Sequence, residues 1–376
     1  MPAPKAANLF LMIEALQTGG SERQFVALTR ALEDSRFHLR LGCIRAQGAF
    51  LEGLNPVTYP LGGSLYGLQS WRTRLKLGRD LRAHGIAIAH AFDFYSNLTL
   101  VPAARLAGVP VVIGSQRQLG DLLTPWQFRA QMTMFRWCDA VVCNSGAAAQ
   151  RLIDRGLARE KIAVIWNGLG PEAFADAVPA LPRNPGWQRV GMIARMNSVA
   201  KNHSLFLRAA ARLKITVPQV EFVLAGDGPL RAGLEREAAE LGLGDRVRFL
   251  GDCRDVPAVL ASLDLTVLPS ASESLSNAII ESMAAGVPAI ATDVGGNAEL
   301  LGEARGIIVS PGDEVVLAAA MARLLQQDDL RIQMGRSCTG FARDNFTLEK
   351  MGRHYSQLYD DWLERKGRRA NRRAPA

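Results

Sequence analysis

Two α/β domains, each built on a doubly wound parallel sheet, are predicted by three observations. Short apolar runs alternate with amphipathic segments throughout, as in ANLFLMI, SERQFVALTRAL and FHLRLGCI, and later VEFVLAG, LRAGLEREAAEL and RVRFLG. That order is expected of parallel strands joined by crossover helices. A strand, polar loop and helix start afresh twice, at LFLMIEALQTGGSERQ and at RVGMIARMNSVAKNHSLF. Between them, residues 171–187 carry Pro171, Pro179, Pro182 and Pro185, a density that no regular element tolerates. At 376 residues the chain exceeds the usual size of one core, and 48% hydrophobic content is ample for two. The expected divisions are an N-terminal domain over 1–172, a linker over 173–187, a C-terminal domain over 188–345, a last helix over 346–366, and a disordered basic tail over 367–376.

Charge and cysteine content narrow the class. Of the formal +8, six units belong to Arg365, Lys366, Arg368, Arg369, Arg372 and Arg373, leaving +2 for the rest of the chain. A near-neutral body argues against a nucleic-acid partner; the tail reads as solvated, with contact to an anionic membrane second. Cys43, Cys138, Cys143, Cys253 and Cys338 are odd in number and scattered, which suits reduced thiols rather than disulfides or a zinc site. The opening MPAPKAANLFLMIEAL is interrupted by Glu14 and is too short for a membrane span, so a cytoplasmic location is expected.

In the first half, Gly19, Gly20, Ser21 and Glu22 follow the first strand at a helix start, where backbone N–H groups can face an oxyanion. His90 ends the apolar run GIAIAHAFDFYSN, with Asp93 nearby. In a doubly wound sheet that strand end suits an acid/base or a sugar contact; the other reading is a buried histidine satisfied by a backbone carbonyl. The next strand, VPVVIGSQRQ, ends in Ser115, Gln116 and Arg117. Arg117 offers a cation for an acceptor or a phosphate, or pairs with an acid at the surface.

In the second half, Arg195 closes an apolar strand and Lys201 opens the following helix, suiting a phosphate that Arg grips through two N–H groups and Lys meets as a point charge. The AGDGPLR turn brings Gly226 and Gly228, which shape the backbone more than they contact a ligand. In ESLSNAIIESMAAGVPAIATDVGGNAEL, Glu273 and Glu281 stand with seven residues between them around a loop-to-helix junction, with Ser276 or Asn277 as its N-cap. An acid on each side of an anion-binding helix start suits a nucleotide-sugar; equally, Glu281 complements the helix dipole and Glu273 is solvated. Gly295 and Gly296 form the loop before another helix, with Asn297 expected as its cap. The final helix, LEKMGRHYSQLYDDWLERK, sets Met351, Tyr355, Leu358 and Trp362 on one face.

The E-x7-E spacing, the AAGVP turn and the TDVGGNAE loop, in that order, resemble the donor-binding signature of the family 4 retaining glycosyltransferases, from about residue 8 to about residue 345. The resemblance implies the GT-B fold, two Rossmann-like domains facing a central cleft, with the last helix crossing back to the N-terminal domain. It assigns catalytic roles to Arg195, Lys201, Glu273 and His90, and donor binding to Gly19, Gly20, Gly226, Arg254, Val256, Ser274, Leu275, Ser276, Asn277 and Glu281. Many members carry a histidine where this chain has Ser115, Gln116 and Arg117, so Asp93, Gln116 and Arg117 stay as candidates without assigned roles.

The implied reaction moves a sugar from a nucleotide-diphosphate sugar, with a UDP-sugar favoured over GDP-mannose, to a saccharide or lipid-linked saccharide. No cofactor and no metal are expected, because the chain contains no Asp-x-Asp pair. The protein would lie in the cytoplasm, with peripheral contact at the inner face of the membrane. A nucleotide-sugar 2-epimerase and a non-catalytic partner of the same fold are the alternatives. A nicotinamide dehydrogenase is a poorer reading still, because the first GG turn lacks G-x-G-x-x-G and no acidic residue is evident at the expected later position. Acceptor choice would fall to LGGSLYGLQSWRTRL and RQLGDLLTPWQF, which carry Trp71 and Trp126.

Overall fold

The computed structural model describes residues 6–371. Residues up to Gly168, together with those from Leu348 onward, form one compact unit, and Leu169–Thr347 form another.

The N-terminal unit holds seven strands, β1 (Ala7–Ile13), β2 (Phe37–Cys43), β3 (Val57–Thr58), β4 (Ile88–Ala91), β5 (Val111–Gln116), β6 (Ala140–Cys143) and β7 (Ile162–Val164). They lie in the order β3-β2-β1-β4-β5-β6-β7, and every pairing is parallel. Helices α1 (Gly20–Ala31), α2 (Leu68–Ala83), α3 (Phe94–Ala107), α4 (Pro125–Trp137) and α5 (Gly146–Asp154) cover the sheet. Side chains alternate across a strand, so β1 serves two cores. Leu9, Leu11 and Ile13 pack with Phe25 and Leu28 of α1, while Phe10 and Met12 pack with Leu77 and Leu81 of α2. With both faces covered, the strands read as continuous apolar runs.

The C-terminal unit holds β8 (Gln188–Ile193), β9 (Val220–Ala225), β10 (Val247–Gly251), β11 (Leu265–Leu268), β12 (Ala289–Thr292) and β13 (Gly306–Val309). Their order is β10-β9-β8-β11-β12-β13, again all parallel. Between and after them run α6 (His203–Thr216), α7 (Arg231–Glu240), α8 (Val256–Leu260), α9 (Asn277–Ala284), α10 (Asn297–Leu301), α11 (Glu314–Gln326) and α12 (Asp328–Asn345). Strand order reverses beside β1 in one sheet and beside β8 in the other. The loops leaving the strand ends at such switch points are where this class of sheet binds ligands.

Two boundaries differ from expectation. The proline-rich stretch is part of the C-terminal unit: Ala180 N–H donates to the Ala258 carbonyl at 2.8 Å, Leu181 N–H to Ser262 Oγ at 3.1 Å, and the buried Arg189 guanidinium to the Pro182 carbonyl at 2.8 Å. Proline lacks an N–H but keeps its acceptor, so a proline-dense segment still docks through its carbonyls and the N–H groups of the residues between its prolines. The last helix, α13 (Leu348–Asn371), packs on α1 and β5 of the N-terminal unit and continues past Lys366, so Gly367–Asn371, expected to be disordered, are helical. The remainder of the expected basic tail lies outside the described residues. Among those described, no helix is long and apolar enough to cross a membrane.

Candidate active site

In the C-terminal unit the switch point lies between β8 and β11, and the loops leaving these two strands carry Arg195 and Lys201 on one side and Glu273 on the other. Lys201 sits in the single turn Val199–Lys201, capped by Ser198. Its Nζ donates to Glu273 Oε1 at 2.5 Å, and Ser270 Oγ donates to the same oxygen at 2.8 Å. Ala271 N–H donates to the Ala200 carbonyl at 2.7 Å, which ties the two loops along the backbone. Arg195 is half-buried, and its guanidinium makes no hydrogen bond or ion pair with a described residue. His203, buried at the start of α6, donates through Nε2 to the Ala194 carbonyl at 3.3 Å and steadies the backbone just before Arg195. Two cations therefore occupy one strand-end loop, one tethered to a carboxylate and one unengaged.

Ser276 is the N-cap of α9, its Oγ accepting from Ile279 N–H at 3.3 Å, which places Asn277 as the first helical residue and Glu281 about one turn in. Ser274, Leu275 and Ser276 are buried, and the Ser274 carbonyl accepts from Gly296 N–H at 2.8 Å. That bond attaches the loop before α9 to the loop before α10. Asn297 corrects the expected cap: Gly296 occupies the N-cap position, while Asn297 is the buried first residue of α10 and donates through Nδ2 to the Thr292 carbonyl at 3.0 Å.

Gly226 and Gly228 are required by close backbone approach. A Cβ on Gly226, at φ +133°, would lie 2.2 Å from the Ala194 carbonyl oxygen, and one on Gly228, at φ +153°, 2.4 Å from the Met196 carbonyl. Both positions favour glycine. They let the turn after β9 nest against the loop that carries Arg195. Arg254 is exposed, whereas the Val256 side chain is buried among Val223, Leu260 and Leu263 at the start of α8, capped by Asp255. Only its backbone is left for recognition.

In the N-terminal unit the structure changes several expected roles. His90 is fully buried: Nδ1 pairs with the Tyr359 hydroxyl and Nε2 with Ser115 Oγ, both at 2.8 Å. Burial, reinforced by the nearby Arg117 charge, lowers its pKa to about 3, so the ring is neutral and both nitrogens are engaged. It is placed as a structural group and not as an accessible acid/base. Sequence alone offered a carbonyl partner; α13 supplies a tyrosine from 269 residues away.

Asp93 is the N-cap of α3 in a reciprocal capping box with Ser96, and its Oδ2 also accepts from Glu14 N–H at 2.6 Å. Both carboxylate oxygens thus serve the backbone, which removes Asp93 as a free polar candidate. Gln116 is buried, donating to the Gln118 carbonyl at 2.5 Å and accepting from Gln131. Arg117 bonds Asn167 Oδ1 at 2.5 Å and stacks over Phe92 at 4.5 Å instead of pairing with an acid at the surface. Gly19 is the N-cap of α1 and Gly20 its exposed first residue; the Glu22 carboxylate folds back so closely that a Cβ on Gly19 would lie 2.1 Å from its Oε2.

Sequence reasoning missed Ser270, Thr292 and His203. The signal for Ser270 is an apolar strand followed by Pro269-Ser270, three residues before Glu273.

Chemically, the C-terminal loops present a free guanidinium, a carboxylate-tethered ammonium and a capped helix start with an acid in its first turns. This set suits a diphosphate flanked by hydroxyl-bearing groups. Comparison with known proteins agrees in fold and family. The family model described as Glycosyltransferase Family 4 matches residues 18–173, and that described as Glycosyl transferases group 1 matches residues 188–327. The lipopolysaccharide core biosynthesis glycosyltransferase LpsE of Rhizobium meliloti is 31% identical over 242 residues, covering 64% of this chain and 68% of that protein. The alpha-D-kanosaminyltransferase of Streptomyces kanamyceticus is 29% identical over 309 residues, covering 77% and 78%. Anabaena HepE, solved in complex with UDP and glucose, superposes with a TM-score of 0.80 at 22% identity over 94% of this chain and 99% of its own. The two parallel-sheet units are those of the GT-B fold, and the chain belongs to the group 1, family 4 glycosyltransferases.

Proposed function

We propose that this glycosyltransferase is retaining and metal-independent, and that it moves a sugar from a nucleoside-diphosphate sugar to a hydroxyl of a saccharide or lipid-linked saccharide in polysaccharide or glycolipid biosynthesis. The observation that carries this reading is the meeting of Lys201 with Glu273 at the β8/β11 switch point, beside the unengaged Arg195. A UDP-sugar is the first candidate donor and GDP-mannose the second; the UDP complex of HepE supports that order.

In the reaction, the bond from the anomeric carbon to the diphosphate oxygen breaks and its electron pair stays on the diphosphate. The acceptor oxygen bonds to the same face of the carbon, and its proton passes to the departing phosphate oxygen. No protein nucleophile is needed, so the chain supplies position and charge. Arg195 and Lys201 meet the leaving diphosphate. Lys201 has three N–H donors and gives one to Glu273, which leaves two for phosphate oxygens. Glu281 takes the ribose hydroxyls, Glu273 a hydroxyl of the sugar, and the N–H groups opening α9 a phosphate oxygen. With two cations in this role and no Asp-x-Asp pair in the sequence, neither a metal nor another cofactor is required.

A cytoplasmic enzyme resting on the inner membrane face is the corresponding location. Its support is α2, which exposes Leu68, Trp71 and Leu75 beside the exposed Arg72, Lys76 and Arg79.

The test is incubation with UDP-glucose and GDP-mannose in EDTA, with and without a lipid-linked saccharide extract, followed by proton NMR. Acceptor-dependent product that keeps the donor's anomeric configuration supports the proposal. Epimerised nucleotide-sugar without acceptor would assign the chain to the epimerases instead.

A further inference from the structure

A continuous chain of hydrogen bonds stands behind Glu273. Ser270, two residues beyond the end of β11 and fully buried, donates through Oγ to Glu273 Oε1 at 2.8 Å. Its carbonyl accepts from Thr292 Oγ1 at 2.5 Å, and Thr292 is the fully buried last residue of β12. The Thr292 carbonyl in turn accepts from Asn297 Nδ2 at 3.0 Å. Three strand-end loops of the C-terminal unit are thereby linked, and the chain ends at Lys201 through the 2.5 Å bond to the same Oε1.

The distribution of these bonds is uneven. Both side-chain donors, Ser270 and Lys201, meet Oε1, and no described residue donates to Oε2. A carboxylate offers about four lone-pair sites over its two oxygens. Two donors on one oxygen fix the plane of the group and commit that oxygen to the protein. The Ser270 proton is given to the carboxylate.

We propose that Ser270 and Thr292 are positioning residues for the sugar half of the donor. They hold Glu273 so that Oε1 serves Lys201 and the fold, while Oε2 is kept for a hydroxyl of the transferred sugar. This rests on the donor-site reading above and adds a division of labour to it: the nucleotide is recognised without Ser270, and the sugar is not. Loss of the Ser270 hydroxyl frees the carboxylate to rotate, and loss of the Thr292 hydroxyl frees the Ser270 backbone. Either change blurs the sugar contact and leaves the ribose and phosphate contacts in place.

The experiment is calorimetric titration of the wild type, Ser270→Ala, Thr292→Val and Thr292→Ser, each with UDP, UDP-glucose, GDP and GDP-mannose. For whichever nucleotide pair the wild type binds, Ser270→Ala and Thr292→Val are expected to weaken the nucleotide-sugar roughly 5- to 10-fold, less than the full loss of one charge-assisted hydrogen bond because the contact is loosened and not removed, while free nucleotide stays within about twofold. Thr292→Ser keeps the hydroxyl and restores wild-type ratios. Unchanged binding of free nucleotide also shows that each variant is folded. Equal loss for nucleotide and nucleotide-sugar, or no loss for either, overturns the inference while leaving the donor site intact. A wild type that binds no nucleotide overturns the donor-site reading and this inference with it.

Discussion

The Tyr359 hydroxyl lies 2.8 Å from His90 Nδ1 and joins the last helix to the centre of the N-terminal sheet. Ser115 closes the other side of the ring, and Asn97 brackets Ser115, donating to its carbonyl at 2.9 Å and accepting from its N–H at 3.3 Å. A buried imidazole with both nitrogens satisfied stabilises the fold only while it is neutral.

His90 therefore makes stability depend on pH in one direction. Its folded pKa of about 3 lies below the ordinary 6.5, so the unfolded chain takes up a proton first as pH falls. The contribution is complete above pH 6.5 and declines toward pH 3, by up to about 1.4 kcal/mol per pH unit. Urea denaturation across this range should show a shallower acid slope in His90→Gln than in the wild type. Tyr359→Phe, which leaves Nδ1 unpartnered, should cost about 1–3 kcal/mol at neutral pH.

Lys201→Ala removes the proposed leaving-group cation and one of the two donors to Glu273 Oε1. Loss of a charged hydrogen bond of about 1.5–3 kcal/mol corresponds to a kcat lower by roughly 10- to 100-fold. Glu281→Ala should chiefly raise the donor KM. Steady-state kinetics with varied donor separates the two outcomes, and unchanged kinetics in both variants would remove the site.

Much of the architecture was legible in the sequence because local patterns report it. Alternating apolar runs gave the parallel sheets, and the loops around Arg195, Lys201 and Glu273 were visible as polar breaks after strands. What escaped depends on contacts distant in sequence. His90 and Arg117 look like site groups until Tyr359 and Asn167 are brought to them. Asp93 and Gln116 look free until their backbone and side-chain partners are known. Ser270 shows no charge or periodicity to mark it, and its meaning lies in the single bond to Glu273.

Arg189 and Glu221 form a buried pair at 2.5 Å that also anchors Pro182 and Ser262. Arg189→Leu strands the carboxylate, with only Arg248 remaining at 3.4 Å, and should cost about 3–5 kcal/mol. Adding Glu221→Leu should recover much of that loss, because no uncompensated charge then stays buried. Thermal melts of the single and double variants check this.

Gly226→Ala forces a side chain into the positive-φ region against the Ala194 carbonyl. Strain of about 1–3 kcal/mol is expected, together with displacement of the Arg195 loop. Nucleotide affinity should fall along with melting temperature, whereas Gly233→Ala, in open space on α7, should leave affinity unchanged and raise the melting temperature slightly.

The most direct measurement is a thermal-shift titration of the wild type and Lys201→Ala with UDP and GDP, in EDTA and in magnesium. Ligand at a hundredfold over its Kd stabilises the folded state by about 2.7 kcal/mol. The expected result is a rise in melting temperature with one of these nucleotides, equal in EDTA and magnesium, and smaller in Lys201→Ala. No rise with either, or a rise that needs magnesium, would contradict a metal-independent donor site at Arg195, Lys201 and Glu281.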